Sequence, residues 1–572
     1  MALRLLSQGG LLARRRFPLA CFSTKTPPSS SSTGTHVSDV SVTSLDISTP
    51  SMRALTQVMG YEKLTKVQAA TLPVILQGQD VLAKSKTGTG KTMAFLVPTI
   101  ETLTRNLLRP KKHAKPVSAL ILSPSRELAS QIQVEATKLA TFHPFRIACL
   151  VGGVSMTKDL RRLKDPIDVL VATPGRLQDH LKSDTEDLVA RLAGIQILVL
   201  DEADRLLDMG FRRDIERLLA FLPTARQTLL FSATLPTSLS DIQRLALKPD
   251  HAFIDTVGDD QDQTNAHVAQ SVVTCAFDEH IVMLDKLLHD HIAAGSPYKI
   301  IVFFPTARTA GFMAQLFHEA KYPILEMHSR KSQSHRTKTA AAFRAHDNQI
   351  LFSSDVSARG VDYPDVTLVV QVGLTEREQY IHRVGRTGRA GKLGQGILLL
   401  SDFETPFLDE LDDMAIETKT DVSRTSPPPR IASALAKVQK NASLRKAAEQ
   451  SYQAWLGYYN SNVKRIQMNK KQLVHRAEEY SRIMGLDEVP PLLKQTVSKM
   501  GLQGMGLRVE AYPHLSNKAG GGRGSAGGNT GKSNSFGRGS ASRSTSLSRG
   551  GNESPKWGGK SAGNKGNNSF RR

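Results

Sequence analysis

The sequence predicts an α/β protein: two tandem, doubly wound parallel-sheet domains, then a helical C-terminal extension and a disordered basic tail. Three observations carry that expectation. Short apolar runs of strand length alternate with longer helix-period stretches, and they do so in two successive blocks. A polar stretch, Gly258–His267, separates the blocks as a linker would. Past a proline cluster at Ser423–Arg430 the strand-like runs stop and basic residues accumulate.

In the first block the strand-like runs are Asp80–Ala83, Ala119–Leu122, Ile147–Val151, Val169–Ala172, Ile197–Leu200 and Thr228–Phe231. In the second they are Ser271–Cys275, Ile300–Phe304, Ile324–Met327, Ile350–Phe352, Thr367–Val370 and Ile397–Leu400. A strand covered by helices on both faces meets no water, so it reads as a continuous apolar run. The expected domains are 42–257 and 268–420, with the extension at 424–515 and the tail at 516–572. No repeat is visible residue by residue, although the blocks share one architecture.

With 572 residues, 40% hydrophobic and 22% charged, most of the chain is expected to be globular. The longest apolar runs are a handful of residues, whereas a membrane-spanning helix needs about 20. The three cysteines, Cys21, Cys149 and Cys275, have no metal-type spacing and cannot build a disulfide framework, which fits a reducing compartment. The net charge of +22 is unevenly placed: residues 1–45 carry +4, 424–515 carry +9 and 516–572 carry +10, leaving −1 elsewhere. A near-neutral body with basic ends suggests a polyanion partner, nucleic acid before lipid.

Residues 1–26 contain Arg4, Arg14, Arg15, Arg16 and Lys25 and no acid, and a serine run follows at Ser29–Ser32. Arg-rich, acid-poor sequence of this kind reads as an organelle transit peptide over residues 1–35, with the mitochondrion the first choice and the plastid the second. Its apolar stretches are short and broken by arginine, unlike a secretory signal.

Three segments carry chemistry. SKTGTGKT, Ser85–Thr92, follows a strand and opens a helix, so Gly88 and Gly90 let backbone N–H groups approach phosphate at the positive helix end. Lys91 adds a charge at the β/γ-phosphates, and the Thr92 hydroxyl is a Mg²⁺ ligand. Ser85 stands where Gly or Ala is usual. DEAD, Asp201–Asp204, directly follows the apolar run ILVL, which places Asp201 to hold Mg²⁺ and Glu202 to orient and deprotonate a water. HRVGRTGR, His382–Arg389, supplies Arg383, Arg386 and Arg389 from the other domain. Arginine donated across a cleft to a γ-phosphate is worth about 10³–10⁵ in rate.

In order along the chain these motifs resemble those of the DEAD-box ATP-dependent RNA helicases, from about Gly60 to Leu400. The further segments are GYEKLTKVQ ending in Gln68, PSRELA (Pro124–Ala129), Gly152–Gly153, TPGR (Thr173–Arg176), SAT (Ser232–Thr234), QSHR (Gln333–Arg336) and SDVSARGVD (Ser354–Asp362). The resemblance implies two RecA-like domains with ATP and Mg²⁺ in the cleft between them. It assigns adenine to Gln68, the phosphates to Ser85, Lys86, Thr87, Gly88, Thr89, Gly90, Lys91 and Thr92, and the ribose to Asp362. Thr92 and Asp201 become the metal ligands; Lys91, Asp201, Glu202, Arg386 and Arg389 become the catalytic set. RNA contact falls to Arg126, Gly153, Thr173, Arg176, Gln333, Arg336 and Ser354, and coupling to Ser232, Thr234 and His382. Three departures stand out. No aromatic ring occurs near Val42, where the family has one, and Ser125 and Ser354 replace threonines while keeping the hydroxyl.

Local RNA unwinding coupled to ATP hydrolysis is the expected function, by a monomer acting on structured or single-stranded RNA, with ribonucleoprotein partners left open. The alternative is an ATP-gated RNA clamp with little unwinding. The DEAD spelling and the glutamine motif speak against a translocating DNA helicase. Residues 424–510, with SYQAWLGYYN and SRIMGLDEVPPLLK, resemble the extension of a subfamily that includes mitochondrial RNA-splicing helicases and plant relatives. That extension packs on the second domain; Lys464, Arg465, Lys470 and Lys471 are the expected RNA contacts, against the blander reading of a stabilising appendage. The Gly/Ser/Asn-rich tail, with Phe536, Trp557 and Phe570, is expected to tether RNA loosely.

Overall fold

The computed structural model describes residues 37–86, 88–106, 116–257, 268–295, 297–355, 363–388, 392–419 and 426–510. Residues 1–35, the Gly258–His267 linker and the 516–572 tail, together with Thr87, Asp362 and Arg389, lie outside the described residues.

Two seven-stranded, all-parallel sheets form the body. The first runs, edge to edge, Ile147–Leu150, Val169–Ala172, Ala119–Leu122, Ile197–Leu200, Gln227–Ser232, Val81–Lys84 and Ala252–Asp255. The second runs Ile324–Met327, Gln349–Ser353, Lys299–Phe303, Leu368–Val372, Gly394–Ser401, Val268–Cys275 and Glu417–Lys419. Numbered by their order in the chain, the strands of both sheets stand 3-4-2-5-6-1-7. The repeat hidden in the residues is therefore explicit in the topology.

All twelve expected strand runs occur, shifted by a few residues at some ends. The seventh strand of each sheet was not expected. Ala252–Asp255 alternates in exposure and Glu417–Lys419 is wholly exposed, so neither reads as an apolar run. Each sits at a sheet edge, where a strand has a neighbour on one side only. The central strands, such as Ala119–Leu122 and Ile197–Leu200, are buried along their whole length, as burial under helices on both faces requires.

The expected basic helices follow the second sheet: Pro429–Lys440, Ala442–Ser461 and Lys470–Ile483, then a short helix Lys494–Met500. They bury Leu444, Tyr452, Trp455, Leu456 and Tyr459 in the same apolar core as the second sheet's Val272, Ile300 and Leu398. Phe277, Trp455 and Tyr480 stack on one another with ring centroids 4.9–5.9 Å apart, joining the extension to the second domain through aromatic contact. Among the described residues no helix is long and apolar enough to cross a membrane.

Candidate nucleotide and RNA site

In an open parallel sheet, ligands gather beyond the carboxyl ends of the strands, where neighbouring connections diverge to opposite faces. The first sheet places three segments there from adjacent strands. The phosphate loop leaves Val81–Lys84, the acidic segment leaves Ile197–Leu200, and the SAT segment ends Gln227–Ser232.

The phosphate loop ends at Gly90, the N-cap of helix Lys91–Arg105, with φ of 93°. A side chain there would be strained by that φ, and its Cβ would lie 2.7 Å from Gln68 Nε2. Gln68 earns that proximity by two bonds. Its Oε1 accepts from Thr65 N (2.9 Å) in a capping box at the start of helix Lys66–Leu76, and its Nε2 donates to the Gly90 carbonyl (3.0 Å). Lys91 is buried, its Nζ donating to the Ser85 carbonyl at 3.1 Å across the loop. Ser85 is fully buried and its hydroxyl finds no partner among the described residues, so it fills the space of the usual Gly or Ala without a polar role in this state. Lys86, Gly88, Thr89 and Thr92 lie along the same loop and first helical turn; the Thr89 hydroxyl donates to the Lys86 carbonyl at 2.9 Å.

Asp201 and Glu202 follow the buried strand and are themselves buried. Burial and the neighbouring Glu202 charge push the Asp201 carboxyl up to about 7, with Lys91 pulling the other way. Two buried, neighbouring carboxylates, hard oxygen donors carrying excess negative charge, suit a hard divalent cation such as Mg²⁺. Glu202 adopts a left-handed conformation, φ 50°, and its N–H donates to Asp201 Oδ1 at 3.0 Å.

Asp204 does what the sequence reading left unassigned. Its Oδ2 accepts from Thr234 N (3.0 Å) and Thr234 Oγ1 (2.9 Å), while Ser232 Oγ accepts from Asp204 N (3.3 Å) and donates to the Thr234 carbonyl (2.7 Å). The acidic segment and the SAT segment are thereby one hydrogen-bonded unit, which gives Ser232 and Thr234 a direct mechanical link to the residues beside the phosphate loop.

A second cluster joins the two domains. The Arg126 guanidinium lies against Gly152 and Gly153, and the Gln333 Cβ approaches the same Gly153 from the other domain. Gln333 Nε2 donates to Glu127 Oε1 at 3.0 Å and Arg336 Nη2 to Glu127 Oε2 at 2.6 Å. Glu127, in the first turn of helix Arg126–Leu139, was not singled out from sequence, where an acid at a helix start reads as a dipole partner. Gln333 and Arg336 were expected on RNA; in this structure they bridge the domains. Nearby, Arg176 Nε donates to Asp159 (2.8 Å) and its Nη2 to the Val154 carbonyl (2.7 Å), so the helix begun at Thr173 is tied to the Gly152–Gly153 loop.

On the second sheet, Ser354 follows strand Gln349–Ser353 and is buried. Arg383 donates to Asp355 Oδ1 at 2.6 Å and lies over the Phe303 ring. Arg386 is 1% exposed and its Nε donates to the His382 carbonyl at 3.2 Å. The described residues expected on nucleotide in the first domain therefore form one cluster, Arg126, Gly153, Gln333 and Arg336 a second, and Ser354 and the arginine segment a third.

Arg465 corrects an expectation. It was placed among the RNA contacts of the extension, but it binds Glu410 (2.7 and 2.8 Å), Glu376 (2.9 Å) and the Thr375 carbonyl (2.8 Å). Lys470 donates to the Gly501 carbonyl at 3.1 Å, while Lys464 and Lys471 are exposed.

Two family models match the chain: DEAD/DEAH box helicase over residues 65–242 and Helicase conserved C-terminal domain over 279–391. The DEAD-box ATP-dependent RNA helicase 26 of Oryza sativa subsp. japonica is 48% identical over 480 residues, 83% of this chain and 87% of that protein. Helicase 25 of the same organism is 48% identical over 486 residues, 83% of this chain and 80% of that protein. Among solved structures, Mss116p bound to single-stranded RNA and AMP-PNP superposes with a TM-score of 0.72 at 28% identity, covering 84% of this chain and 98% of that one. Dbp5 of S. cerevisiae bound to RNA and ADP BeF3 gives 0.57 at 25% identity, over 66% of this chain and 95% of that one.

Proposed function

This chain belongs to the DEAD-box family of ATP-dependent RNA helicases, and from that premise we propose a cycle in which ATP and RNA together close the cleft between its two α/β domains. The observation that carries the reading is the meeting of phosphate loop, acidic segment and SAT segment at adjacent strand ends, with the SAT segment bonded to Asp204.

In this reading Gln68 exchanges its bond to the Gly90 carbonyl for the adenine edge, and Lys91 leaves the Ser85 carbonyl for the phosphates. A magnesium ion held by Thr92 and Asp201 would supply charge to those phosphates. Glu202 orients the attacking water and takes its proton. Arg386, with Arg389, approaches the γ-phosphate when the domains meet, and Asp362 holds the ribose. RNA lies along Arg126, Gly153, Thr173, Arg176 and Ser354, with Gln333 and Arg336 at the junction. Neither ligand alone repays the ordering cost of closure, so hydrolysis follows only when both are bound. A strand bent in the closed cleft excludes its complement, and a short duplex melts locally.

The test is RNA-stimulated ATP hydrolysis and unwinding of a short RNA duplex by the full chain, with Lys91→Ala as control. Unwinding that depends on ATP and vanishes in the variant supports the cycle; ATP-dependent RNA retention without strand separation supports a clamp instead.

The basic, acid-free residues 1–35 further support import into an organelle, the mitochondrion before the plastid. Deleting them should move the protein to the cytosol and leave ATP turnover unchanged; unchanged import refutes the assignment. The chain is proposed to act as a monomer, which sedimentation of the purified protein tests.

A further inference from the structure

Helix Arg377–Val384 leads directly into the arginine segment, so the position of Arg386 depends on where that helix starts. It starts from a loop, Gly373–Glu376, that leaves the fifth strand of the second sheet. The second domain holds this loop by two bonds: Gly373 N donates to the Leu399 carbonyl (2.8 Å) and Leu374 N to Glu404 Oε1 (2.9 Å). The C-terminal extension holds it from the other side.

Tyr458 Oη donates to the Leu374 carbonyl at 2.8 Å. Arg465 Nη2 donates to the Thr375 carbonyl at 2.8 Å, and Nη1 reaches the Glu376 carboxylate at 2.9 Å. Glu410 grips the same guanidinium through both oxygens, at 2.7 and 2.8 Å, which leaves the fork no other orientation. Tyr459 completes the contact by bonding Glu404, the acid that holds Leu374 N. Gly373 has a φ of +77°, and a Cβ there would lie 2.8 Å from the Tyr459 hydroxyl, so loop and extension are in direct contact. Two consecutive carbonyls of the loop thus take their donors from the extension.

The same tyrosine also lies at the arginine segment itself. Burial pushes the Tyr458 hydroxyl above its ordinary range, Arg383 lowers it and Asp355 raises it, so all three share one electrostatic neighbourhood. Arg383 and Asp355 are themselves paired at 2.6 Å.

We propose that Tyr458 and Arg465 are positioning residues for ATP hydrolysis: from the C-terminal extension they hold Leu374–Glu376, and through that loop they set the helix that presents Arg386 to the cleft. The extension is then part of the hydrolytic machinery, beyond any RNA it touches. This inference rests on the helicase reading above, because Arg386 matters only if a γ-phosphate reaches it.

Three variants of the full chain test it: Tyr458→Phe, which removes one hydroxyl and keeps the packed ring; Arg465→Lys, which keeps the charge and loses the fork; and Arg430→Gln. Arg430 anchors the extension by a different contact, on the buried Asp285, at 2.8 Å. RNA-stimulated ATP turnover, RNA affinity, Tm and amide hydrogen exchange across residues 374–388 are measured for each. Tyr458→Phe is expected to lower kcat by about fivefold, the worth of one hydrogen bond. Its KM for ATP and its RNA affinity should hold, while exchange over 374–388 quickens. Arg465→Lys should fall in the same way, and Arg430→Gln should lower Tm with kcat unchanged. Unchanged exchange and kcat in Tyr458→Phe overturn the proposal, as does a kcat loss in Arg430→Gln equal to that in Arg465→Lys, which makes the role purely structural. The exchange readout needs no turnover, so a wild-type chain lacking RNA-stimulated hydrolysis overturns the helicase reading, and this inference with it, in a separate arm.

Discussion

Arg336 of the second domain and Glu127 of the first meet at 2.6 Å, with side chains only 5% and 4% exposed. The second carboxylate oxygen of Glu127 is taken by Gln333 at 3.0 Å. One buried acid therefore receives donors from a single helical turn of the opposite domain, and both donors had been expected on RNA. A buried pair loses much of its Coulombic gain to desolvation, but removing one partner leaves a charge stranded.

Arg336→Ala should therefore oppose domain closure more than an ordinary surface change would. ATP-dependent RNA affinity should fall about tenfold or more, since each 1.4 kcal/mol is a factor of ten. Glu127→Gln also deprives the buried Arg336 of its counterion but keeps a carbonyl acceptor for its guanidinium, so it should cost less. Titrating labelled RNA with an ATP analogue present, for both variants, checks the order; equal affinities for wild type and Arg336→Ala refute a role in closure.

Glu202→Gln should bind ATP and RNA and hydrolyse slowly. The amide keeps the side chain's shape but cannot accept the water's proton, while Asp201 remains. Turnover should drop by about 10²–10⁴, the usual worth of a general base, and RNA should dissociate slowly while ATP is present. Rapid RNA release would contradict the role.

Asp201 predicts a pH dependence. Its folded-state value, about 7, lies above the ordinary aspartate value of 3.8. Between those two values the folded protein holds a proton that the unfolded chain gives up, so this group's contribution is fully present at low pH. It is lost as pH rises through about 7. Nucleotide-free wild type should therefore lose Tm between pH 5 and pH 8 more steeply than Asp201→Asn, which stays neutral throughout. The same variant should lack turnover. Parallel Tm curves for the two proteins would mean that the crowding of Asp201 is relieved without nucleotide.

Cutting after Leu515 removes +10 of charge and none of the nucleotide-site residues. RNA affinity should fall with a shallower dependence on salt, because fewer counterions are released. Turnover at saturating RNA should stay within about twofold, since the bonds of Tyr458 and Arg465 remain; the loss of one hydrogen bond would cost about fivefold. Cutting at Asp421 should also expose the apolar face now covered by Tyr452, Trp455 and Leu456, and lower solubility. ATPase assays against RNA concentration at several salt levels separate the two effects; an equal loss of maximal turnover on the shorter cut would place the tail in the cycle.

The chemistry of this protein was legible in one dimension because it is local. Ser85–Thr92 must follow a strand and open a helix for backbone N–H groups to face phosphate, and Asp201 must end a buried strand to sit beside them. Runs such as Ala119–Leu122 announce buried strands because both faces are covered. Edge strands such as Glu417–Lys419 carry no such signal, being held by the neighbour's backbone and not by their own side chains. What only the tertiary structure decided is which charges are spent. Arg465 reads from sequence like Lys464 beside it, a basic residue free for RNA, yet it is committed to Glu410, Glu376 and Thr375. Arg336 reads as an RNA contact and is paired with Glu127, 209 residues away. An ion pair is set by where two side chains arrive after folding, and no spacing along the chain encodes that.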